Sequence, residues 1–381
     1  MTAQTVDLDF RRTVAGAANE SLAACYQCGT CTAICPLSVP VRSILRGAQV
    51  GIKELAISEA LWQCATCRLC EVSCPRGVDI TGVIHSLRGV SYGERKVPAK
   101  LESALWRVYE EGTAWEGRKN DRARWAEGLN VKTGTPAKHL LYIDDAASFD
   151  PRLQRIAQSL VRVFNSAGVD FAILGEKERS SGDEVYQIGE EGFIEELAQS
   201  NIEAFKGVGA EDIITVSPHS NWVFRDVYPK YGSLPPVLHY TEFLSALVDK
   251  DYLRLRHADG GIGTAVTYHD PCYLGRYGGV YEEPRKLLES IPGLKLSEMD
   301  DNRSDALCCG GGGGGMYVES ERERPSHKRV SQAVESGASV MATACPFCVL
   351  NFEDGVKTVG ADIKIRDVAE ILSGLVGNGG G

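Results

Sequence analysis

The cysteines are the residues that point most directly to chemistry in this sequence of 381 residues. Eight lie between Cys25 and Cys74 and five between Cys272 and Cys348, for a total of 13. The stretch between the two groups contains none. Clustered cysteines in a chain whose first residues form no apolar leader indicate metal ligands before disulfides, and an odd total does not fit complete disulfide pairing. The sequence therefore predicts bound metal.

The first group forms two runs with the spacing C-x2-C-x2-C-x3-C-P, which begin at Cys25 and Cys64. This spacing places three thiolates on one tight loop and is typical of cubane 4Fe–4S clusters; in two-cluster proteins the fourth cysteine of each run binds the other cluster. Structural zinc is the alternative, but zinc prefers two C-x2-C pairs separated by a longer loop. We expect Cys25, Cys28, Cys31 and Cys74 to hold one cubane (cubane 1), and Cys64, Cys67, Cys70 and Cys35 to hold the other (cubane 2).

The second group combines Cys272, the run Cys308-Cys309-Gly310, and the run Cys345-Pro346-Phe347-Cys348. Thirty-five residues separate Cys272 from Cys308, and thirty-five again separate Cys309 from Cys345. Equal gaps suggest three loops at the same end of a sheet, where open α/β sheets form their sites. The five cysteines are therefore expected to meet at one point.

Short apolar runs that alternate with helical patterns must position these loops. From residue 139 onward, strands are predicted at 140–143, 171–174, 213–216 and 265–268, and helices at 153–164 and 193–205. Such alternation predicts a parallel sheet with helices on both faces. The cysteine-rich segment differs, since its apolar residues follow helical periodicity over 41–61 and again after Asp79. The predicted fold class is α/β with an N-terminal all-α module.

The spacing of the second group recurs upstream without its cysteines. Residues 180–182 are Ser-Ser-Gly where the later copy has Cys-Cys-Gly, and residues 217–220 are Ser-Pro-His-Ser where it has Cys-Pro-Phe-Cys. The halves look like a duplicated unit. The first half is either an altered pocket, with His219 lining a groove, or a copy retained for its packing, and the second alternative is favoured for metal binding. The positions that have lost their cysteines are Asp145, Ser180, Ser181, Ser217 and Ser220.

Together these motifs resemble a known family. The C-x35-CCG-x34-C-P-x-C pattern, with Tyr-His-Asp-Pro-Cys-Tyr-Leu-Gly-Arg at residues 268–276, fits the CCG domain of heterodisulfide reductase subunits. The whole chain resembles the fused type, in which an α-helical ferredoxin domain precedes a duplicated Rossmann-like α/β CCG domain. Similar chains occur in the sulfite-reductase-associated membrane complex, in glycolate and lactate oxidases, and in the tungsten-type benzoyl-CoA reductase. We expect a ferredoxin domain at 1–91, a partly helical connector at 92–137, a degenerate CCG half at 138–262 and an intact CCG half at 263–381.

By this resemblance, Cys272, Cys308, Cys309, Cys345 and Cys348 would hold a noncubane 4Fe–4S cluster, which would bring the chain to three 4Fe–4S clusters. In the archetype of the family, two noncubane clusters face each other and split a disulfide between them. This chain lacks the first set of cysteines, so that two-cluster reaction is not expected. A single noncubane cluster can bind the sulfur of a thiol or disulfide, or it can serve only as an electron relay.

Other candidates stand beside the five cysteines. Cys308 and Cys309 are candidate catalytic residues together with His269, which either protonates a released thiolate or is satisfied by a hydrogen bond at a strand end. Gly310 and Gly311 open a run of six glycines. No Lys-Ser or Lys-Thr follows this run, so its amides are expected to face the cluster rather than a phosphate.

Composition and absent motifs limit the partners. The net charge of −10 argues against nucleic acid, and no apolar run reaches the length of a membrane span. No G-x-G-x-x-G opens a βα unit, so neither flavin nor NAD is predicted on this chain. Arg276 is expected to pair with an anionic substrate or to form a salt bridge.

Other redox subunits must then supply or take the electrons. A flavoprotein, a membrane cytochrome or another metalloenzyme would form a hetero-oligomeric complex with this chain, in the cytoplasm or attached to a membrane through the partner. Two functions stay open: a thiol–disulfide oxidoreductase subunit of heterodisulfide reductase type, and a pure electron-wiring subunit whose chemistry lies on another chain.

Overall fold

The structure is a computed structural model of the chain, and it describes residues 5–17, 20–258, 265–319 and 323–377. An all-helical N-terminal region precedes parallel sheets flanked by helices, which confirms the predicted α/β class. The expected boundary between residues 262 and 263 lies outside the described residues. Within the described ranges, no helix has both the length and the apolar character needed to cross a bilayer.

Helices build the N-terminal region in the described part of residues 5–93. They are α1 (Leu8–Ala17), α2 (Thr30–Ala33), α3 (Val41–Val50), α4 (Lys53–Ala56), α5 (Leu69–Val72) and α6 (Ile80–Gly93). Helix α3 buries Ile44 and Leu45 on one face and ends at Gly51, whose φ of +79° suits glycine. Helix α6 begins after Asp79, whose side chain accepts a hydrogen bond from the Gly82 amide at 2.9 Å. These ends fix the helices that follow the two cysteine loops.

The segment predicted as a connector is built into the first α/β half. Helix α7 (Ala99–Glu111) covers the helical part, and short 3₁₀ turns follow at Lys119–Asp121 and Arg124–Ala126. Strand β1 (Lys132–Thr133) then pairs in parallel with a strand of the first sheet. The connector therefore contributes an edge strand, which its polar sequence did not predict.

The first sheet is parallel throughout. It continues with β2 (His139–Tyr142), β3 (Phe171–Ile173), β4 (Asp212–Thr215) and β5 (Val237–His239), in the order β1-β3-β2-β4-β5. The helices of this half are α8 (Asp145–Phe149), α9 (Gln154–Ser166), α10 (Asp183–Ile188), α11 (Glu191–Val208), α12 (Pro218–Trp222) and α13 (Tyr240–Asp249). Strand β2 is fully buried at Leu140, Leu141 and Tyr142, as a central strand covered on both faces must be.

The second sheet has the same strand order as the first without its edge strand. It contains β6 (Ala265–Tyr268), β7 (Lys295–Leu296), β8 (Val340–Thr343) and β9 (Lys364–Asp367), in the order β7-β6-β8-β9 and all parallel. Its helices are α14 (Glu282–Glu289), α15 (Pro325–Glu335), α16 (Pro346–Val359) and α17 (Val368–Ser373), and a π-helical turn spans Tyr273–Tyr277. The predicted strands correspond to β2, β3, β4 and β6, within one residue at each end.

The two halves share one hydrophobic core. Helix α9 of the first half packs on α17 of the second, and α13 packs on α14. The two contacts are equivalent, because in each the first long helix of one half (α9 or α14) packs on the last helix of the other half (α17 or α13). Apolar residues from both sheets therefore belong to a single buried cluster. This packing brings the carboxyl ends of both sheets toward each other and toward the N-terminal region.

Candidate metal centres

The first cysteine loop curls tightly because Gln27 and Gly29 have positive φ angles of 66° and 91°. Four cysteines line one small cavity at this loop: Cys25, Cys28, Cys31 and Cys74. These are the four ligands expected for cubane 1, and Cys74 reaches the cavity from the second run. The Cys28 side of the site is exposed, whereas Cys31 is buried.

The second cysteine loop repeats this backbone, with positive φ angles at Thr66 (48°) and Arg68 (60°). Four thiols lie close enough to act on one another's charge: Cys35, Cys64, Cys67 and Cys70. Burial raises the pKa of Cys64 to about 12, against the opposing charge of Arg88 and with contributions from Cys35 and Cys67. Such thiols become thiolates only beside strong positive charge, which coordinated iron supplies.

The five cysteines of the second group meet at the carboxyl ends of β6 and β8. The Sγ atoms of Cys272 and Cys308 are 3.9 Å apart, and those of Cys309 and Cys348 are 3.3 Å apart. Cys345 is the N-cap residue of α16 and contacts Cys348. All five are buried, so the three loops deliver their thiols to one enclosed place.

Backbone amides of the glycine run are directed at these thiols. The Gly310 amide donates to Cys308 Sγ at 3.2 Å, and the Gly311 amide donates to Cys309 Sγ at 3.4 Å. The Asn351 side chain adds a longer contact, with Nδ2 3.7 Å from Cys309 Sγ. Hydrogen bonds to ligand sulfur help to set the potential of an iron–sulfur cluster. No sequence motif indicates a role for Asn351, which lies one turn of α16 beyond Cys348.

The next two glycines permit a close approach between two parts of the chain. A Cβ on Gly312 would lie 2.7 Å from the carbonyl oxygen of Ala65, and one on Gly313 would lie 2.5 Å from that of Cys64. Any side chain here would separate the glycine run from the second cysteine loop. The glycine run therefore has two roles: its amides donate to cysteine sulfur, and its lack of side chains lets the second cysteine loop approach. The sequence indicated only the first of these roles.

The ligand sets expected for cubane 2 and for the noncubane cluster adjoin at this junction. Contact with Cys308, together with burial, raises the pKa of Cys67 well above its usual value. The Tyr277 hydroxyl donates to the Thr66 carbonyl at 2.6 Å, and the Tyr273 hydroxyl shares a 2.7 Å hydrogen bond with the Thr66 hydroxyl. Both tyrosines follow Cys272 in the chain, so these two hydrogen bonds hold the loop that carries Cys67 against the α/β region.

His269 contacts the five-cysteine site through Cys348. Its Nε2 lies 3.5 Å from Cys348 Sγ, while its Nδ1 accepts a hydrogen bond from Arg329 Nε at 3.2 Å. Because Nδ1 is an acceptor, the proton of the neutral ring is on Nε2 and faces the sulfur. Burial and the charge of Arg329 hold the pKa of His269 far below its usual range. The geometry is that of a neutral hydrogen-bond donor to Cys348.

His219 reaches the same site from the first half. Its ring stacks on Tyr273 with centroids 3.9 Å apart, and Nδ1 lies 3.0 Å from Asp183 Oδ2. Burial raises the pKa of Cys345, but contacts with Cys348 and His219 outweigh it and bring that pKa down to about 6. The first half therefore contributes a side chain to the surviving cysteine set, which the motif Ser-Pro-His-Ser had indicated only as a groove residue.

The positions that lost their cysteines still have the local geometry of the later copy. Ser217 and Cys345 are both N-cap residues that precede a proline. The Gly182 amide lies 3.2 Å from Ser180 Oγ, which matches the 3.2 Å between the Gly310 amide and Cys308 Sγ. The backbone at these serines therefore resembles the backbone at the corresponding cysteines of the second half.

An ionic cluster fills the centre of the first half. Arg122, which is only 1% exposed, forms ion pairs with Asp145 and with Glu178, the second at 3.2 Å. Glu178 also accepts hydrogen bonds from the Ile143 and Asp144 amides at 3.1 Å each. Burial raises the pKa of Glu178 to about 7, against the charge of Arg122. Arg122 lies in the connector, and no motif marked it.

The donor sets suit iron–sulfur clusters. Further amides are directed at sulfur in both cysteine loops, from Thr66 to Cys64 Sγ at 3.4 Å and from Val78 to Cys74 Sγ at 3.5 Å. Among the described residues, no group of three His, Cys, Asp or Glu side chains converges as closely as a single metal ion needs. The thiolates of a 4Fe–4S cluster bind separate irons, and each of the three sites brings together at least the four cysteines that such a cluster needs.

Family models match both parts of the chain. The model of a 4Fe-4S dicluster domain matches residues 24–78. The model of the cysteine-rich domain CCG matches twice, at residues 146–225 and 266–353. The second of these ranges contains all five cysteines of the later group, and the first contains the four serines that stand in corresponding places.

Three of the curated relatives have names of redox proteins. The chain is 36% identical over 293 residues to a "Probable iron-sulfur-binding oxidoreductase FadF" of Bacillus subtilis, covering 74% of this chain and 41% of that protein. It is 33% identical over 311 residues to an EtfAB:quinone oxidoreductase of Syntrophomonas wolfei, covering 77% of this chain and 43% of that protein. It is 32% identical over 266 residues to a subunit of the dihydromethanophenazine:CoB–CoM heterodisulfide reductase of Methanosarcina acetivorans, covering 68% of this chain and 64% of that protein. The chain thus spans less than half the length of the first two relatives.

Proposed function

Because the chain belongs to the iron–sulfur proteins that join a 4Fe-4S dicluster domain to cysteine-rich CCG domains, we propose that it relays electrons between two cubane clusters and one noncubane cluster. It is an iron–sulfur electron-transfer oxidoreductase related to a heterodisulfide reductase subunit and to an EtfAB:quinone oxidoreductase. The finer proposal is that its three ligand sets lie in series. The equal strand orders and the two CCG matches support a duplicated α/β unit of which one copy has kept its ligands.

The observation that carries this proposal is the contact between Cys67 and Cys308. One thiol belongs to the second cysteine loop and the other to the five-cysteine site, so the two ligand sets adjoin. The first loop lies at the other end of the series, with Cys28 at the surface. Bound clusters would supply one-electron transfer, and this chain would hold their thiolates in an order that runs from the surface to the interior.

Iron analysis and electron paramagnetic resonance of anaerobically prepared protein test the proposal. We expect about twelve irons per chain, four for each of three clusters. In Cys28→Ser, cubane 1 is lost and a reduced protein donor transfers electrons to the five-cysteine site more slowly. In Cys348→Ser, only the signal of that site is lost, while both cubanes are reduced at the normal rate. Unchanged transfer in Cys28→Ser would contradict the serial order.

A second function, reaction with a thiol or disulfide, is favoured by a groove that reaches Cys309. A surface cavity of 580 Å³ is lined by Trp62, Gln63 and Val318, and the same three residues line a narrow neck that ends at Cys309. Arg324 stands at this neck and donates to Asn351 Oδ1 at 3.4 Å. A small sulfur compound with an anionic group would find both an entry path and a cation there.

A bulky residue in the neck separates this second function from simple relay. Val318→Trp is expected to block a thiol-dependent or disulfide-dependent change in the resonance signal of the five-cysteine site. Electron transfer between the clusters should continue in the same variant. Val334→Trp, at an exposed position of α15, is the control. A response to thiols that persists in Val318→Trp would exclude the groove as the route.

We propose a flavoprotein as the redox partner at the first cysteine loop. One relative is named for its action on EtfAB and a quinone, so that protein exchanges electrons with a separate redox partner. On this chain Tyr26 and Ile34 are 61% and 37% exposed beside Cys25 and Cys35, so apolar surface adjoins the site where electrons would enter. Tyr26→Glu should weaken anaerobic complex formation with an electron-transferring flavoprotein, and Tyr252→Glu, at an exposed tyrosine of the first α/β half, should not.

A further inference from the structure

Two arginines, one buried and one half-buried, lie at the junction between the second cysteine loop and the five-cysteine site. Arg88, on α6, is 0% exposed and donates to four backbone carbonyls: Cys64 at 2.7 Å, Gly313 at 2.9 Å, Leu61 at 3.1 Å and Gln187 at 3.4 Å. Its Nε has no partner in the described part of the chain. One guanidinium therefore ties the cysteine loop to the glycine run, and all these partners are uncharged.

Arg276 occupies the opposite side of the same junction. It donates to the carbonyl oxygens of Cys67 at 2.5 Å, Ser304 at 2.9 Å and Ala306 at 2.8 Å. Its second terminal nitrogen, Nη2, is buried and has no partner among the described residues. The strongest charge effects on Arg276 come from three thiols of two different ligand sets, namely Cys67, Cys272 and Cys308.

Two other buried arginines of this chain are paired with carboxylates, whereas a third, Arg329, donates to His269 Nδ1 at 3.2 Å. Arg285 forms two hydrogen bonds with Asp270, at 2.7 and 2.9 Å, and also pairs with Glu298. Arg122 pairs with Asp145 and Glu178. Within the described ranges, neither Arg88 nor Arg276 forms such a pair, and Asp183, the carboxylate that acts on Arg88 from a distance, is already bound to His219. A buried guanidinium keeps its proton, so its charge needs a compensating charge close by.

We infer that Arg88 and Arg276 are the fixed counter-charges of the clusters held by the second cysteine loop and by the five-cysteine site. This inference rests on the proposed ligand sets. A 4Fe–4S cluster with its thiolates is net negative, and one added electron makes it more negative by one charge. That electron adds no proton to either arginine, so the gain is electrostatic. Both arginines are positioning residues that favour the reduced state and fasten the glycine run onto the loop.

The test is an anaerobic redox titration, followed by electron paramagnetic resonance, of Arg276→Gln and Arg276→Lys. In Arg276→Gln we expect the one-electron reduction constant of cubane 2 to fall about tenfold, a shift of about 59 mV to lower potential. The five-cysteine site should shift in the same direction. Cubane 1, which is remote from Arg276, should keep its potential. Arg276→Lys retains the charge and should recover most of the shift, and Arg88→Gln should lower the potential of cubane 2 as Arg276→Gln does.

Arg107→Gln is the matched control, because Arg107 also donates to a backbone carbonyl, that of Ala114 at 2.7 and 3.0 Å, but lies on α7. It should leave all three potentials unchanged. Equal potentials in Arg276→Gln and wild type, or equal shifts of all three clusters, would overturn the inference. If Arg276→Gln fails to retain iron, retention by Arg276→Lys supports a role of the charge and loss in both variants refutes it. Wild-type protein with fewer than three clusters would instead refute the ligand assignment, before any variant is compared.

Discussion

Replacing Arg122 by methionine tests whether an ionic cluster has taken the place of a metal site in the first half. The guanidinium is fully enclosed and bonds to Asp145, to Glu178 at 3.2 Å and to the carbonyl of Gly112 at 2.9 Å. Methionine matches much of the volume of the side chain but leaves two buried carboxylates without their cation. Asp145 lies three residues after the end of β2, so loss of the ion pair should destabilise the carboxyl end of that strand.

The size of the effect follows from this burial. Removing one partner of a buried ion pair costs about 3–5 kcal/mol, which corresponds to a rise of roughly 10²- to 4 × 10³-fold in the local opening equilibrium. Burial already raises the pKa of Glu178 to about 7. Without Arg122 that pKa rises further, so Glu178 becomes neutral more readily in the folded variant. The deficit relative to wild type is therefore smallest in mildly acidic buffer and grows as the pH rises above about 7.

Hydrogen exchange measured by mass spectrometry gives the readout, because it reports the opening of each segment separately. Amides of β2 should exchange much faster in Arg122→Met, while those of β8 should change little. Arg124→Met removes an exposed pair with Asp121 and should cost less than about 1 kcal/mol. The triple variant with Asp145→Asn and Glu178→Gln added removes all three charges of this cluster and should regain most of the protection. If β2 exchanges equally in Arg122→Met and Arg124→Met, the reasoning is refuted.

Three further predictions concern the cysteine loops and their contacts. Cys74→Ser and Cys28→Ser should each leave about eight irons and abolish the same resonance signal, whereas uncrossed ligation would make them abolish different signals. Gly189→Ala should destabilise the docking of α6 by about 1–3 kcal/mol, because a Cβ there would lie 2.6 Å from the backbone of Gly89. Gly209→Ala is the control, because Gly209 also has a positive φ but faces open space. Thermal unfolding measures the stability of both variants. His219→Phe removes the donor beside Cys345 and should lower the potential of the five-cysteine site with iron content unchanged, as redox titration will show.

Much of the fold could be predicted because its signals are local in sequence. The strand at 265–268 was predicted at its observed bounds, and those at 140–143 and 213–216 lie one residue from β2 and β4, since apolar runs of central strands are buried on both faces. The short edge strands β1 and β7 were missed because two paired residues leave no periodic pattern. The ligand sets of cubane 1 and cubane 2 remain predictions, and the cavity lined by Cys25 and Cys74 is what supports the crossed assignment.

The remaining features of the site depend on residues that are distant in sequence. Position 312 requires glycine because the Ala65 carbonyl oxygen lies against it, and the sequence around either residue gives no signal of that contact. Arg276 was expected to pair with an anionic substrate or in a salt bridge; its hydrogen bonds instead go to the carbonyls of Cys67, Ser304 and Ala306. The side chain fills a junction between domains, where the local sequence cannot specify the partner.

The first half also bears on what a region that matches the CCG model without its cysteines contributes to the chain. A copy retained only for packing would need apolar residues at the vacated positions, yet this one has Arg122 with two carboxylates at its centre and His219 against Cys345. The Gln187 side chain donates to the Tyr273 hydroxyl at 2.8 Å, which in turn bonds to Thr66 of the second cysteine loop. Polar groups of the first half thus reach both neighbouring ligand sets. We infer that this half forms a polar wall of the five-cysteine site. Carboxylates of the same half pair with its cations Arg122 and His219, which leaves Arg88 and Arg276 as the cations beside the ligand sets.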